Sequence, residues 1–344
     1  HRAPVGSGPF RLAERGGDGT LRFDRVDDYP EALGRPLLQR IIYRAIPEPA
    51  AILTELSTRG VDACVTGPSL ARETTSRPEL RSLPVSPASV QVIPLNTRAA
   101  PLDDARVRRA LSAALEREAI AAVISPLAVP ARTFLPYGSP WIDASAAQPD
   151  ADSALAVSLL EEAGWGTVGR DGVRVDAAGR PLRFTLVAPR VLEPLLTVVQ
   201  AQVRRVGVGM EMQFMEGAAY FAMLREPDRR PAAMALNFTP DRIANPDPHG
   251  QLHSGGGSNL SFYADARVDE MVDRLRVTLA EQDRARIYGE LQRRAAEDVP
   301  TLYTVYLPRL LTVGPRLQGV VVDANGAFGS VARWWIPAAE RRGR

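Results

Sequence analysis

At 344 residues the chain is long enough for two domains, and 45% apolar with 24% charged residues is ordinary for a globular protein. A formal charge of +2 is too small for a nucleic-acid footprint or a membrane-seeking surface, and no apolar run approaches the ~18 residues of a membrane span. Cys64 stands alone, which excludes an intrachain disulfide and a cysteine metal cluster.

All 42 basic residues are arginine. Because they are scattered rather than clustered, a coding bias accounts for them better than anion recognition does. Residues 21–23 and 40–46 alternate as strands. Pro49 starts a helix with Leu53 and Leu56 on one face and Gly60 after its end. A strand over 61–65 follows, in which Cys64 reads as a small buried hydrophobe. Residues 41–65 thus have the form of a strand–helix–strand crossover. Residues 89–95 are another apolar strand, ending at Asn96. Asp104 caps a helix in which Val107, Ala110, Leu111, Ala114 and Leu115 recur at helical spacing, and it is placed to meet Arg108 one turn on.

Residues 152–163 predict a helix with Leu155, Leu159 and Leu160 inward and Gly164 as its stop. Asp171-Gly172 and Gly179-Arg180-Pro181 punctuate a hairpin leading to a strand over 182–187. A helix over 193–206, closed by Gly207, precedes a strand whose Val208, Met210, Met212 and Phe214 share one buried face. The apolar run 232–238, bounded by Thr239-Pro240-Asp241, predicts a fully buried central strand. Beyond it Pro240, Pro246, Pro248 and the glycines at 255, 256 and 257 exclude regular structure. Helices over 266–279 and 283–297 follow, the first with Val268, Met271, Val272 and Leu275 on its core face. Pro300 ends the pair, residues 301–307 form a strand, and residues 338–344 read as a frayed tail.

Two sets of residues carry a resemblance. One is Leu95-Asn96-Thr97, Pro101, Asp103-Asp104, Arg106-Val107-Arg108, Ala110-Leu111 and Glu116-Arg117-Glu118. The other is the run 232–238, Asp241, Asn245-Pro246-Asp247-Pro248, His253-Ser254-Gly255-Gly256, Asn259, Tyr263, Asp265 and Asp269. Their order resembles the extracellular solute-binding proteins, family 5, of peptide- and nickel-type ABC transporters. The resemblance implies an α/β, bilobal periplasmic-binding-protein-like fold (type II, cluster C), with two mixed sheets flanked by helices and an interlobe cleft. Residues 1–95 would be a partial lobe I, 96–307 lobe II and 308–344 the return to lobe I, hinged near Asn96 and Pro308. In that family a Val-Gly-x-Gly-Pro-aromatic element lies well inside the sequence. Here it is Val5-Gly6-Ser7-Gly8-Pro9-Phe10, so the natural amino-terminal portion and its secretion signal are expected to be missing.

The function implied is capture of a small ligand, with a peptide favoured, and delivery to the membrane permease subunits of an importer. The implied protein is periplasmic or extracellular, membrane-associated and monomeric, without cofactor or nucleic-acid partner, and not an enzyme. Candidate ligand residues are Asn96, Asn237, Phe238, Thr239, Asp241, Tyr303 and Tyr306. Asp241 matches the acidic residue that meets the ligand's amino terminus in peptide-binding relatives; read from the residues alone, Pro240-Asp241 is better explained as a turn. Many relatives have Trp at the position of Asn237, so the ligand class stays open, with Phe238 as the replacement surface. Tyr303 and Tyr306 are ligand contacts or core residues, and Asn96 contacts ligand or ends its strand.

His249 and His253 are four apart beside Asp247, but on a Pro/Gly loop that spacing predicts no shared face and hence no metal site. A Gly-x-Ser-x-Gly elbow and a phosphate loop are both missing from the sequence, and the triple glycine lacks the following helix of a nucleotide fingerprint. Two other readings use the same fold: the sensor module of a transcription regulator, and a hydrolase working in the cleft.

Overall fold

The computed structural model describes residues 6–67, 70–239, 245–322 and 326–341. The chain divides into two compact units, His1–Ser86 with Pro308–Arg344, and Pro87–Leu307. The first boundary falls before Asn96, within a long strand, and the second falls at Pro308.

In the first unit β1 (Phe10–Arg15), β2 (Leu21–Arg25) and β3 (Arg40–Tyr43) form an antiparallel sheet in that order. Gly19, at φ 82°, makes the turn between the first two. Next come α1 (Pro49–Ser57), which buries Leu56, and β4 (Ala63–Thr66). β4 does not return to the sheet of β3; it pairs antiparallel with the last strand, β13 (Thr301–Val313). The expected crossover is therefore not one, because a strand–helix–strand order says nothing about which partner the second strand finds. Cys64 on β4 is half-buried rather than fully buried, and burial raises its thiol pKa. A short helix, α2 (Ala71–Thr75), leads into β5 (Arg81–Pro94). The core of this unit joins Val85, Leu311, Val313, Leu317, Val320 and Trp334. Arg316 grips both carboxylate oxygens of Asp62 and donates from Nη1 to the Glu340 carbonyl oxygen at 3.2 Å. That bond, with Glu340 in a helical turn over Ala338–Glu340, ties down the first three residues of the segment expected to fray.

The second unit opens with α3 (Ala105–Ala113), α4 (Arg117–Ile124) and β6 (Val129–Pro130). Asp104 caps α3 by accepting from Arg106 N at 2.8 Å, and its side chain binds the Arg106 guanidinium. The expected Asp104–Arg108 pair does not form, because Arg108 turns inward. Its Nε donates to the Asp298 carbonyl oxygen at 2.8 Å and its Nη1 to that of Leu102 at 2.9 Å. α5 (Ser153–Glu162) buries Ala156, Leu159 and Leu160; Leu155 is 37% exposed, not inward as expected. The hairpin β7 (Thr167–Val168) and β8 (Arg174–Val175) leads to β9 (Arg183–Pro189), α6 (Glu193–Arg205) and β10 (Gly209–Met215). β9 and β10 are parallel, with Leu186 opposite Met212, so β9, α6 and β10 make a crossover motif.

After α7 (Gly217–Leu224), the run 232–238 proves to be two strands in two sheets. β11 (Ala233–Met234) lies parallel to β9, whereas β12 (Leu236–Phe238) pairs antiparallel with β5. Ala235 makes the transfer, its N–H donating to the Val187 carbonyl oxygen at 3.2 Å and its own carbonyl accepting from Tyr220 Oη at 2.7 Å. Ala233, Met234 and Ala235 are buried as expected, but Asn237 is exposed. α8 (His249–Leu252), α9 (Ala266–Val277) and α10 (Glu281–Asp298) complete the unit before β13. α8 is one helical turn where no regular structure was expected, entered through Asp247, whose side chain accepts from His249 N at 3.0 Å. Among the described residues, no helix is long and apolar enough to cross a membrane.

Candidate ligand-binding site

β12 stands at the end of its sheet, with β5 on one side and no strand on the other among the described residues. Its outer edge therefore offers unpaired backbone groups to an extended chain. Strand alternation sends Leu236 and Phe238 to one face and Asn237 to the other. Leu236 lies opposite Val92 of β5, and together with Pro94 and Phe238 they line a cavity of about 460 Å³. Phe221 and Leu224 of α7, Arg225 just after it, and then Arg230 form one wall, and a segment including Gly257, Ser258, Leu260 and Ser261 forms another. Tight backbone packing shapes that segment. At Gly256 an added Cβ would collide with the carbonyl oxygens of His249 and Gly250, while at Gly257 it would meet nothing. Asn259 secures the segment, its Nδ2 donating to the carbonyl oxygens of His253 at 3.1 Å and Tyr263 at 2.8 Å. Phe262, held at φ 56°, has two guanidinium groups near its ring, Arg98 at 4.9 Å and Arg230 at 5.1 Å from the ring centre.

The expected ligand residues separate into three groups. Phe238 lines the cavity, with Asn237 and Thr239 exposed beside it; Thr239 shares a hydrogen bond of 2.8 Å with Ser89. Asn96 lies at a turn, where its Oδ1 accepts from Arg98 N at 3.0 Å and its N–H donates to the Ala232 carbonyl oxygen at 2.8 Å. Tyr303 and Tyr306 are buried in the core with Val90, Val92, Tyr288 and Leu291. Tyr306 Oη donates to the Leu135 carbonyl oxygen at 2.7 Å, and burial raises both phenol pKa values. Asp241 lies outside the described residues. Arg225 and Arg230 were not anticipated from the sequence. The signal available was the apolar run 217–224 followed by Arg229-Arg230-Pro231, but it does not say which cavity the arginines line.

His249 and His253 do share a face, since the turn of α8 brings their rings into a stack with centres 4.4 Å apart. Together with Asp273 they place metal-ligating atoms within 4.8 Å of one another. Gly255 N–H donates to His253 Nδ1 at 2.9 Å, which puts the neutral ring's proton on Nε2, 3.8 Å from Asp273 Oδ2. As placed, that nitrogen presents a donor to Asp273 rather than a lone pair to a cation.

A β-edge beside an apolar cavity with a few polar groups is an arrangement that can take an extended small ligand. The chain belongs to the family described as bacterial extracellular solute-binding proteins, family 5, whose middle-region model matches residues 1–259. It is 24% identical to the oligopeptide-binding protein AppA of Bacillus subtilis over 97% of this chain and 62% of that protein. It is also 24% identical to the nickel-binding periplasmic protein of Escherichia coli, over 93% of this chain and 62% of the relative. The chain thus spans about three fifths of the length of these relatives. Among solved structures, the fold is similar to the ABC transporter substrate-binding protein CtaP of Listeria monocytogenes (TM-score 0.83, 20% identity, 97% of this chain and 67% of the other covered). It is similar as well to Bacillus subtilis AppA solved with a nonapeptide (TM-score 0.78, 24% identity, 97% and 67% covered). The mixed α/β fold is of the periplasmic-binding-protein type.

Proposed function

We propose that the chain is the ligand-binding part of an importer's solute-binding protein and that its cargo is a peptide. The observation that carries this reading is β12, an edge strand whose Leu236 and Phe238 floor a cavity large enough for a side chain. A peptide laid along that edge gains backbone hydrogen bonds that do not depend on its sequence, while one side chain enters the cavity. Asp241 is assigned to the ligand's amino terminus and Asn237 and Thr239 to its flank. Capture is coupled to hinge motion at the two chain crossings. The whole protein works outside the cytoplasm as a monomer, passing ligand to membrane permease subunits without turning it over. The test is titration calorimetry of the full-length protein with a set of peptides of two to nine residues. Saturable binding with unchanged peptide masses afterwards is expected. Peptide cleavage, or ligand-dependent DNA binding without peptide uptake in cells, would overturn the reading.

A further inference from the structure

The cavity is charged on one side only. Among the described residues that line it, Arg225 and Arg230 carry charge and no aspartate or glutamate does. Glu226, between them in sequence, is paired with Arg229 at 3.1 Å. Arg230 is held rather than swinging. Its Nε donates to the Leu224 carbonyl oxygen at 3.1 Å, its Nη1 to that of Asn259 at 3.3 Å, and its Cζ lies over the Phe262 ring, 5.1 Å from the ring centre. Its Nη2 has no hydrogen-bond partner among the described residues, and burial holds the guanidinium pKa below its ordinary value. A guanidinium fixed in this way beside Phe221, Leu236 and Phe238 has no counter-ion among the described residues, and a carboxylate is the group whose geometry matches its planar fork.

We propose that this cavity is an anionic subsite, which selects ligands that place a carboxylate on an apolar body against Arg230 and Arg225. The inference rests on the peptide reading above and narrows it. Two sources supply the same chemistry: an acidic side chain or the ligand's C-terminal carboxylate.

The experiment is calorimetry on the full-length protein with four matched peptides, carrying Glu or Gln at one position and a free or amidated C-terminus. A preference of roughly tenfold or more for a carboxylate-bearing member is expected, and which member shows it identifies the source. Arg225→Gln, which alters an exposed side chain, and Arg230→Gln should each shrink the preference, and the double variant should bring it to parity. Circular dichroism and thermal melts check that each variant folds, and the affinity lost should be greater for the carboxylate-bearing peptide than for its neutral counterpart. Arg230→Lys should keep only part of the preference. Equal, tight binding of all four peptides, or a preference that survives the double variant, would overturn the subsite and leave the peptide reading intact. Failure of every peptide to bind would overturn both.

Discussion

Arg117 Nε donates to the Tyr303 carbonyl oxygen at 2.8 Å, so a fully buried guanidinium at the start of α4 holds the strand that carries Tyr303 and Tyr306. Its Nη1 reaches the carbonyl oxygens of Ser112 at 3.4 Å and Pro149 at 3.0 Å, and its Nη2 reaches Ser112 Oγ at 3.1 Å and Gln148 Oε1 at 2.9 Å. Burial lowers its pKa to about 9, still charged at neutral pH. Replacing it with Met fills the space but strands several buried acceptors. Arg117→Met is expected to destabilise the protein by about 2–4 kcal/mol in urea denaturation. An unchanged midpoint would mean that water takes over these bonds.

Alkali should act through the tyrosines. Burial, then the hydrogen bond to Asp298, raises the Tyr263 pKa, and burial raises those of Tyr220, Tyr303 and Tyr306. A phenol whose pKa is raised by folding keeps its proton in the native state while the unfolded chain loses it. Stability is therefore intact below about pH 10 and falls as pH rises beyond it. Urea midpoints measured from neutral to strongly alkaline pH should show that fall, together with delayed tyrosinate absorbance. Tyr263→Phe should flatten the fall.

The junction of α9 with α10 is set by Asp265, whose Oδ1 accepts from Arg267 N at 2.8 Å and Val268 N at 3.1 Å while its Oδ2 binds Arg294 Nη2 at 2.7 Å. Burial raises its pKa, but hydrogen bonds from Arg294 and from the Val268 and Arg267 backbone outweigh that effect and hold it below its ordinary value. Its contribution is therefore present above about pH 4 and is lost as pH falls through the lowered value. Asp265→Ala should cost about 1–2 kcal/mol at neutral pH. The difference from the parent protein should shrink in acid, a trend that differential calorimetry at two pH values would check.

The sequence was legible wherever local chemistry decides structure. Asp104, Asp152 and Asp265 cap α3, α5 and α9, and Gly164 and Gly207, with φ 93° and 87°, end α5 and α6. What it left open was the choice of partner. Nothing in residues 232–238 states that one half joins β9 and the other β5, because both halves are equally apolar. Of the candidate site, Phe238 was named only through the family resemblance, as the surface replacing a tryptophan of relatives, and it lines the cavity. Arg225 and Arg230 were not, since an arginine in an arginine-rich chain announces no cavity. The shared face of His249 and His253 was hidden by prolines, which suit the first turn of a helix as well as a loop.

Neighbouring glycines offer a paired test of the cavity wall. Gly256→Ala drives a methyl group into the His249 and Gly250 carbonyl oxygens, whereas Gly257→Ala adds one in open space. The first variant should lose about 1–3 kcal/mol of stability and weaken peptide binding measurably; the second should leave stability nearly unchanged. Equal behaviour of the two in thermal melts and calorimetry would show that the wall does not depend on this contact.

The most direct test of strand addition is amide hydrogen exchange across β12 in the full-length protein, with and without saturating peptide. Slowed exchange at Leu236, Asn237 or Phe238, lost with a peptide whose backbone nitrogens are methylated, is the predicted result. Tight peptide binding that leaves exchange at all three amides unchanged would contradict it.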